Sequence, residues 1–201
     1  MVSLRRPSTE AIREFLESQS KLGFTYSAVG ATGTVPPLGY DVDHTRIKLG
    51  EGEEVFTRAK DALRRWEHFR LGWVEAWKPE TTIKTGDVVA VVARQVGLWW
   101  LSACRIVYVV DEAEPINRFG FAYGTLPDHP ETGEERFLVE WDRSSGEVCY
   151  DILAFSRPHL LLARLGYPYM RRVQKRFAKA SAAAMLKSVG ASREKELDNQ
   201  I

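Results

Sequence analysis

One short segment gathers the residue types that acid–base chemistry or metal binding requires. It runs Leu-Pro-Asp-His-Pro-Glu-Thr-Gly-Glu-Glu and contains Asp128, His129, Glu131, Glu134 and Glu135. An imidazole beside carboxylates can ligate a divalent cation or exchange protons with a substrate. The spacing matches no tight metal motif, and the two prolines indicate a rigid turn. We therefore expect no metal, and predict an acidic rim in which His129 and Glu131 border the mouth of a ligand cavity.

Two arginines, Arg94 and Arg105, lie inside otherwise apolar stretches. A buried arginine needs a carboxylate partner, which Glu140, Asp151 or an acidic ligand could supply. Arg94 is therefore a candidate ligand clamp. The alternative is that both arginines face outward in cross-strand ion pairs that contribute little stability.

A histidine next to an aspartate, as in Asp43 and His44, can activate a nucleophile. The Gly-x-Ser-x-Gly motif is absent, however, and Cys104 lies in the middle of a predicted strand. Adjacent residues on a strand also point to opposite faces. These features argue against a catalytic dyad.

The segment Ser156-Arg-Pro-His159 precedes the last predicted helix. Arg157 and His159 could hold an anion at the helix N-terminus, which makes Arg157 a further candidate at the cavity mouth. The alternative is an ordinary helix start, with Ser156 or Arg157 just outside the helix and Pro158 in its first turn.

Aromatic residues recur with the period of two that places side chains on one face of a strand. Three sets share a face: Phe119, Phe121 and Tyr123; Phe137, Val139 and Trp141; and Val148, Tyr150, Ile152 and Ala154. They can form an ordinary core or line a ligand cavity in which the tyrosine hydroxyls orient a ligand. Gly120, Ala122 and Gly124 face the other way, where small residues let a strand bend or let a neighbouring group pack close, and sheet curvature is the simpler explanation.

Periodicity predicts the elements that position these residues. Helices are expected at Ser8 to Lys21, from Gly50 to about Arg70, and from after Pro158 to about Val189 with a kink at Gly166 and Pro168. Strands are expected at Asp43–Leu49, Trp73–Trp77, Asp87–Gln95, Leu98–Val110, Arg118–Leu126, Glu135–Arg143 and Glu147–Phe155.

The last helix has two contrasting faces. Its apolar seam contains Leu162, Leu165, Tyr169, Val173, Phe177, Ala180 and Ala184. Its opposite, basic face contains Arg171, Arg172, Lys175, Arg176 and Lys179. Such a face could bind an acidic protein, anionic lipid or nucleic acid, although no known nucleic-acid motif accompanies it. The usual interpretation is a solvated surface.

Composition fits one globular domain, with 28 Lys and Arg against 27 Asp and Glu in 201 residues. The two cysteines are far apart, the N-terminal residues lack the apolar core of a signal peptide, and no apolar run approaches the roughly 20 residues that span a bilayer. We therefore expect a reduced, cytoplasmic protein that does not cross a membrane.

The order strand, helix, six strands, long helix predicts an α+β fold. Sequential antiparallel strands would form a curved sheet of about seven strands wrapped round the long C-terminal helix, the helix-grip arrangement of START-like domains. We assign residues 1–23 to an N-terminal helical extension, 24–189 to this single domain and 190–201 to a flexible tail. Two helices cannot fill so curved a sheet, so a cavity is expected.

The stretch from Arg118 to Ser181 carries specific motifs. They include Phe-Gly-Phe-Ala-Tyr-Gly-Thr-Leu-Pro-Asp-His-Pro-Glu, Gly-Glu-Glu-Arg-Phe, Ala-Phe-Ser-Arg-Pro and Ala-Arg-Leu-Gly-Tyr-Pro. With them the chain resembles the uncharacterised DUF1990 (UPF0548) family, from about Phe24 to Met185. The resemblance implies a START-like fold and supplies no catalytic residues.

Three functions remain open from the sequence. The leading hypothesis is a noncatalytic binder of a small hydrophobic or amphipathic ligand, without a cofactor, and the candidate cavity residues are Arg94, Phe119, Phe121, Tyr123, Trp141, Tyr150, Tyr169 and Val173. The second is a cyclase, isomerase or hydrolase that uses Tyr123, His129 or Arg94 in the same cavity. The third is an interaction module that uses the basic helix.

Overall fold

The computed structural model describes residues 1–77, 83–114, 116–159 and 166–198. In chain order its elements are β1 (Val2–Ser3), α1 (Thr9–Ser20), β2 (Asp41–Glu51), α2 (Glu53–Arg64), β3 (Val74–Trp77), β4 (Val88–Gln95), β5 (Leu98–Glu112), β6 (Asn117–Thr125), β7 (Glu131–Trp141), β8 (Glu147–Pro158) and α3 (Tyr167–Asp198). The predicted α+β order is confirmed, and β1 is an additional short strand.

The strands form one antiparallel sheet in the order β2-β8-β7-β6-β5-β4-β3. Strands β3 to β8 form a meander, β2 is added beside β8, and β1 pairs with β5 where Val2 lies opposite Trp100. Register shifts in β2 and β5 help the sheet to curve. The curved sheet packs round α3, and this is the predicted helix-grip fold.

Strand register brings the predicted inward residues together. Phe121 of β6 lies opposite Phe137 of β7, which lies opposite Ile152 of β8. Tyr123, Glu135 and Ala154 form the next aligned row. Because directly paired residues share a face, these rows form the concave surface that faces α3.

Helix α2 ends earlier than predicted. The sequence pattern continues to about Arg70, but Trp66 adopts a left-handed conformation with φ of 57° and a 3-10 turn follows at Glu67–Phe69. This break turns Trp66, His68 and Phe69 into the concave face of the sheet, where each is almost fully buried. The free energy gained by burying these three rings exceeds the free energy that a further turn of helix would contribute.

Strands β7 and β8 are longer than predicted, because their hydrogen-bonded pairing continues beyond the predicted ends. Glu131 pairs with Pro158, so the ladder includes residues that the prolines had suggested were a turn and a helix start. The predicted N-cap at Ser156 or Arg157 is therefore wrong.

Helix α3 begins at Tyr167, and residues 160–165, which include Leu162 and Leu165 of the predicted seam, lie outside the described residues. Pro168 occupies the first turn, where a missing N–H costs nothing, so it does not kink the helix. The helix continues through Gly190 to Asp198, past the predicted end near Val189. A single helical glycine costs only about 1 kcal/mol relative to alanine.

Among the helices of the described residues, none is both long enough and apolar enough to span a membrane.

Candidate functional site

A cavity of about 420 Å³ lies between the concave face of the sheet and the first half of α3. Most of its wall is apolar, with Val91, Trp100 and Ile152 from the sheet and Val173 and Phe177 from α3. The wall also contains a few polar groups. This combination is typical of sites for small molecules.

The cavity occupies only one half of the concave face, because the other half is filled. There Trp66 and His68 pack against Phe121 and Phe137, with ring centroids 4.8 Å apart for Trp66 and Phe121 and 4.6 Å apart for His68 and Phe137. We call these two regions the open half and the filled half. Phe69 lies at their boundary, since it belongs to the core and also lines the cavity.

Five predicted site residues line the cavity. Tyr123 lies on its floor, and Val173 and Tyr169 project from α3. His129 and Glu131 also line the wall, where the sequence had placed the cavity mouth. Tyr169 remains 42% exposed and so lies at the outer edge.

Four predicted cavity residues belong to the filled half or its far end. Phe121 and Tyr150 are fully buried in the core, where the Tyr150 hydroxyl lies 2.9 Å from Ser181 Oγ. Phe119 lies beneath Lys60 and Arg64, and Trp141 packs on Phe56. Strand alternation identified the correct face for these residues but not the part that α2 fills.

The two arginines proposed for the site lie outside it. Arg94 is exposed, with its guanidinium 5.9 Å from the Trp99 ring, whereas its strand neighbours Val91 and Ala93 line the cavity. Arg157 is also exposed and lies 4.5 Å from the ring of Tyr40. Both were wrong as cavity residues, because they occupy strand positions whose side chains face away from the helix.

The partners proposed for Arg94 and Arg105 are engaged elsewhere. Glu140 binds Arg46 and Arg118, and Asp151 binds His44 and Arg136. Arg105 instead donates to the backbone carbonyls of Ser20 and Leu22, at the C-terminal end of α1.

Glu135 is the cavity's most unusual group. The Tyr123 hydroxyl donates to its Oε2 at 2.8 Å. Burial raises the pKa of Glu135 to about 7, more than the Tyr123 hydrogen bond lowers it, while Glu131 and Asp43 raise it further. Burial also raises the pKa of Tyr123 well above its usual range. Near neutral pH the carboxyl can therefore hold or release a proton.

Glu131 lies four residues earlier on the same face of β7. Gln174 of α3 donates from Nε2 to Glu131 Oε1 at 2.6 Å and to Ser156 Oγ at 2.8 Å. Burial raises the pKa of Glu131 to about 7, against the opposing effects of the Gln174 hydrogen bond and the Arg171 charge. A polar link therefore joins β7, β8 and α3 at the rim.

Asp43 and Arg171 close the rim on the side of β2. Arg171 forms a two-pronged ion pair with Asp43, in which Nη2 donates to Oδ1 at 2.6 Å. The Tyr167 hydroxyl donates to Asp41 on the same strand. The start of α3 is thus tied to β2 by two contacts.

His129 carries no charge near neutral pH, because burial lowers its pKa to about 4. Its Nδ1 accepts from the backbone N–H of Glu131 at 3.1 Å. His44, the other histidine considered above, is bonded to Asp151 on the convex face, while Asp43 faces α3. The predicted opposite orientation of Asp43 and His44 is confirmed.

Glu134 also borders the cavity, but its carboxylate is directed to the loop at residues 24–40, which it anchors. Its carboxylate accepts from the Tyr26 hydroxyl at 2.7 Å and from the backbone N–H groups of Gly30 and Thr32 at 2.7 and 2.9 Å. Tyr26 lies directly over Gly124, where an added Cβ would be 2.0 Å from its hydroxyl. Close packing, rather than the predicted curvature alone, therefore requires glycine at 124.

The basic face of α3 is only partly free. Arg171 is paired with Asp43, and the Arg176 guanidinium lies 4.3 Å from the Trp73 ring. Arg172, Lys175 and Lys179 are exposed. The predicted row of five basic residues is therefore reduced to three without these contacts.

Sequence reasoning missed several lining residues. Phe177 was on the predicted seam but not among the predicted cavity residues. Glu135 was assigned to the acidic segment, although strand alternation puts it on the same face as Phe137 and Trp141. Phe69, Trp73 and Trp100 also line the cavity. The position of Phe69 depends on the turn after α2, for which the helical pattern gave no signal.

The chain matches a family model described as a domain of unknown function (DUF1990) over residues 25–184. A UPF0548 protein of Dictyostelium discoideum is 38% identical, over 96% of this chain and 97% of the relative. A UPF0548 protein of Arabidopsis thaliana is 39% identical, over 77% and 76%. The crystal structure of hypothetical protein jhp0584 from Helicobacter pylori is similar in fold, with a TM-score of 0.52 and 11% identity, over 82% of this chain and 94% of that one.

Proposed function

Because the chain belongs to the DUF1990 family, whose description names no activity, we propose a function from its cavity: it binds a small hydrophobic or amphipathic molecule between the open half of the sheet and α3. The cavity of about 420 Å³ carries this proposal. Small-molecule sites are typically about 300–1,000 Å³. Protein interiors are otherwise close-packed, so a void of this size is not a normal packing defect.

The lining defines the ligand's body. Val91, Ile152, Val173 and Phe177 offer aliphatic and aromatic surface. Removing apolar surface from water contributes about 25 cal/mol per Å². An apolar body therefore supplies most of the affinity, while polar groups on β7 orient it.

The entrance lies between the start of β7 and the start of α3. His129 and Glu131 line one side, and Tyr169, which is partly exposed, lines the other. The Gln174 and Arg171 contacts join these two sides. Ligand entry then requires only local separation of the rim from α3.

The test uses two matched substitutions on α3. Ala178 lines the cavity, whereas Ala183 is exposed on the same helix. Ala178→Phe should fill the cavity and abolish binding of the neutral fluorophore N-phenyl-1-naphthylamine. Ala183→Phe has the same effect on helix propensity and should leave that binding unchanged.

Native mass spectrometry of the purified wild type, followed by denaturing extraction, tests for a retained ligand. A small molecule present in wild type and Ala183→Phe but absent from Ala178→Phe would support the proposal. Equal fluorophore binding by both variants would overturn it, as would no binding by the wild type together with a mass that corresponds to the polypeptide alone.

A second candidate, acid–base catalysis in the same cavity, is favoured by the hydrogen-bonded pair of Glu135 and Tyr123. A carboxyl that titrates near neutral pH suits proton transfer. Glu135→Gln separates the two candidates with any ligand that the extraction identifies. If the protein is a catalyst, the wild type converts that ligand to a product and Glu135→Gln does not. If it is a carrier, both proteins release the ligand chemically unchanged.

A further inference from the structure

The few charged groups of the mostly apolar cavity wall are acidic. Asp43, Glu131 and Glu135 contribute carboxyl groups from its concave face, and the described lining residues include neither lysine nor arginine. His129 is neutral near pH 7, because burial lowers its pKa to about 4. A ligand therefore meets negative charge and very little positive charge from the wall.

Glu135 is the carboxyl on which no positive group acts. Asp43 is paired with Arg171, and the Arg171 charge also lowers the pKa of Glu131, which accepts a hydrogen bond from Gln174. For Glu135, the hydrogen bond from Tyr123 to Oε2 is the single one found within the described residues, and Oε1 accepts none there. Burial in such surroundings disfavours the ionised carboxylate relative to the protonated carboxyl, unless a cation or a further hydrogen-bond donor binds it.

The positive groups near this region are already engaged. Arg171 is held by Asp43 at the rim. The amino group of Met1 donates to the carbonyl of Leu101 at 2.8 Å. The negative charge of Asp128 also interacts with this amino group and raises its pKa, against the larger effect of burial. When Glu135 is ionised, the positive charge that balances it would then come from the molecule that enters.

A group of aromatic rings that includes Tyr123, the hydrogen-bond partner of Glu135, also suits a cation. The centroid of Phe69 lies 6.2 Å from that of Tyr123 and 5.0 Å from that of Phe177, and all three residues line the cavity. The faces of such rings attract positive charge, more strongly when water is excluded.

We propose that the ligand is a protonated amine with an apolar body, and that Glu135 binds its ammonium group while the aromatic wall encloses the rest. This inference rests on the proposed binding function and names its ligand class. The amine donates to Oε1 of Glu135, and Tyr123 keeps Oε2 in place.

The test compares three probes with the same body and different head groups: 4-phenylbutylamine, 4-phenylbutan-1-ol and 4-phenylbutyrate. Calorimetric titration of the full chain at about pH 8 keeps Glu135 ionised, because its pKa is about 7. The amine should bind at least about tenfold more tightly than the alcohol, and the carboxylate should bind most weakly.

Glu135→Gln keeps the size of the side chain and removes its charge. It should reduce the preference for the amine over the alcohol to within about threefold. Glu140→Gln removes the same charge from the convex face of β7 and should retain the full preference. The comparison of the three probes on wild type tests the amine preference by itself, even if a variant fails to fold.

The outcomes separate this inference from the proposed function. If the alcohol binds wild type as tightly as the amine, or if Glu135→Gln keeps the amine preference, the amine assignment is overturned and cavity binding stands. The same conclusion follows if N-phenyl-1-naphthylamine binds and none of the three probes displaces it. If neither that fluorophore nor any probe binds, the proposed function itself is overturned.

Discussion

Two adjacent glutamates on β7 have opposite environments. The Glu134 carboxylate accepts three hydrogen bonds from Tyr26, Gly30 and Thr32 in addition to one from the Thr32 hydroxyl. Glu135 accepts one, from Tyr123, and borders the cavity. Strand alternation alone produces this contrast, since it directs one side chain to the loop at residues 24–40 and the next toward α3. The first is suited to holding structure and the second to meeting a ligand.

The environment of Glu135 predicts a specific pH dependence of stability. Its pKa rises from 4.5 to about 7 on folding, so between these values the folded state binds more protons than the unfolded state. Wild type therefore loses stability from this group as pH rises from about 4.5 to 7. Glu135→Gln lacks this loss, and its free energy of unfolding relative to wild type should rise by up to about 3 kcal/mol over that range.

Urea denaturation of both proteins between about pH 5 and 8 measures this difference directly. Glu140→Gln is the control, because Glu140 is paired with Arg46 and Arg118 on the opposite face. It should show no gain with pH. Parallel stability curves for wild type and Glu135→Gln would contradict the environment assigned to Glu135.

At the scale of elements, one buried carboxylate fixes the 24–40 loop to the sheet. Glu134→Gln replaces one acceptor oxygen with an NH2 group, which faces either the Gly30 amide and the Tyr26 hydroxyl or the Thr32 amide and hydroxyl. Leaving a buried N–H group unsatisfied costs about 1–3 kcal/mol, so we expect a loss of about 1–3 kcal/mol in the free energy of unfolding. Hydrogen exchange at the Gly30 and Thr32 amides should accelerate in this variant.

The control for the loop prediction is again Glu140→Gln on the same strand and face. Its ion pairs are partly exposed, and such pairs contribute about 0–1 kcal/mol. The protection of Gly30 and Thr32 should be unchanged in this control. Equal exchange rates at both amides in wild type and Glu134→Gln would show that Glu134 does not hold the loop.

The elements also show which parts of the fold could be predicted from sequence. Alternation over Phe119 to Tyr123 gave the correct strand and face, because a half-buried strand imposes a period of two. The end of α2 was missed, since its apolar spacing continues through Trp66 to Phe69 although the backbone turns at Trp66. That turn depends on long-range contacts of Trp66 with Phe121 and of His68 with Phe137, which no local pattern encodes.

For the whole molecule, long-range packing that no local pattern encodes also determines which residues line the candidate site. The sequence identified a sheet face and a helix that could enclose a cavity, and Tyr123 and Val173 do line it. It could not distinguish them from Phe121 and Tyr150, which lie on the same face. Only the three-dimensional position of α2 and its following turn assigns one half of the face to the core and the other to the cavity.

This division into halves predicts that removing a tyrosine hydroxyl will affect stability in the filled half and ligand binding in the open half. Tyr150 and Tyr123 each place a hydroxyl on the concave face, the first next to Ser181 in the filled half and the second on Glu135 in the open half. Tyr150→Phe removes a buried hydrogen bond and should lower the free energy of unfolding by about 1–2 kcal/mol. It should leave binding of N-phenyl-1-naphthylamine and of the amine probe unchanged, because Tyr150 does not line the cavity.

Tyr123→Phe is the matched change in the open half, and it removes the donor that holds Oε2 of Glu135. Since that hydrogen bond lowers the pKa of Glu135, its loss should raise the pKa of the carboxyl further and leave it protonated at neutral pH. The affinity for 4-phenylbutylamine near pH 7 should then fall several-fold and recover at higher pH, while N-phenyl-1-naphthylamine still binds. A loss of amine affinity in Tyr150→Phe equal to that in Tyr123→Phe would show that the two halves of the concave face do not act separately.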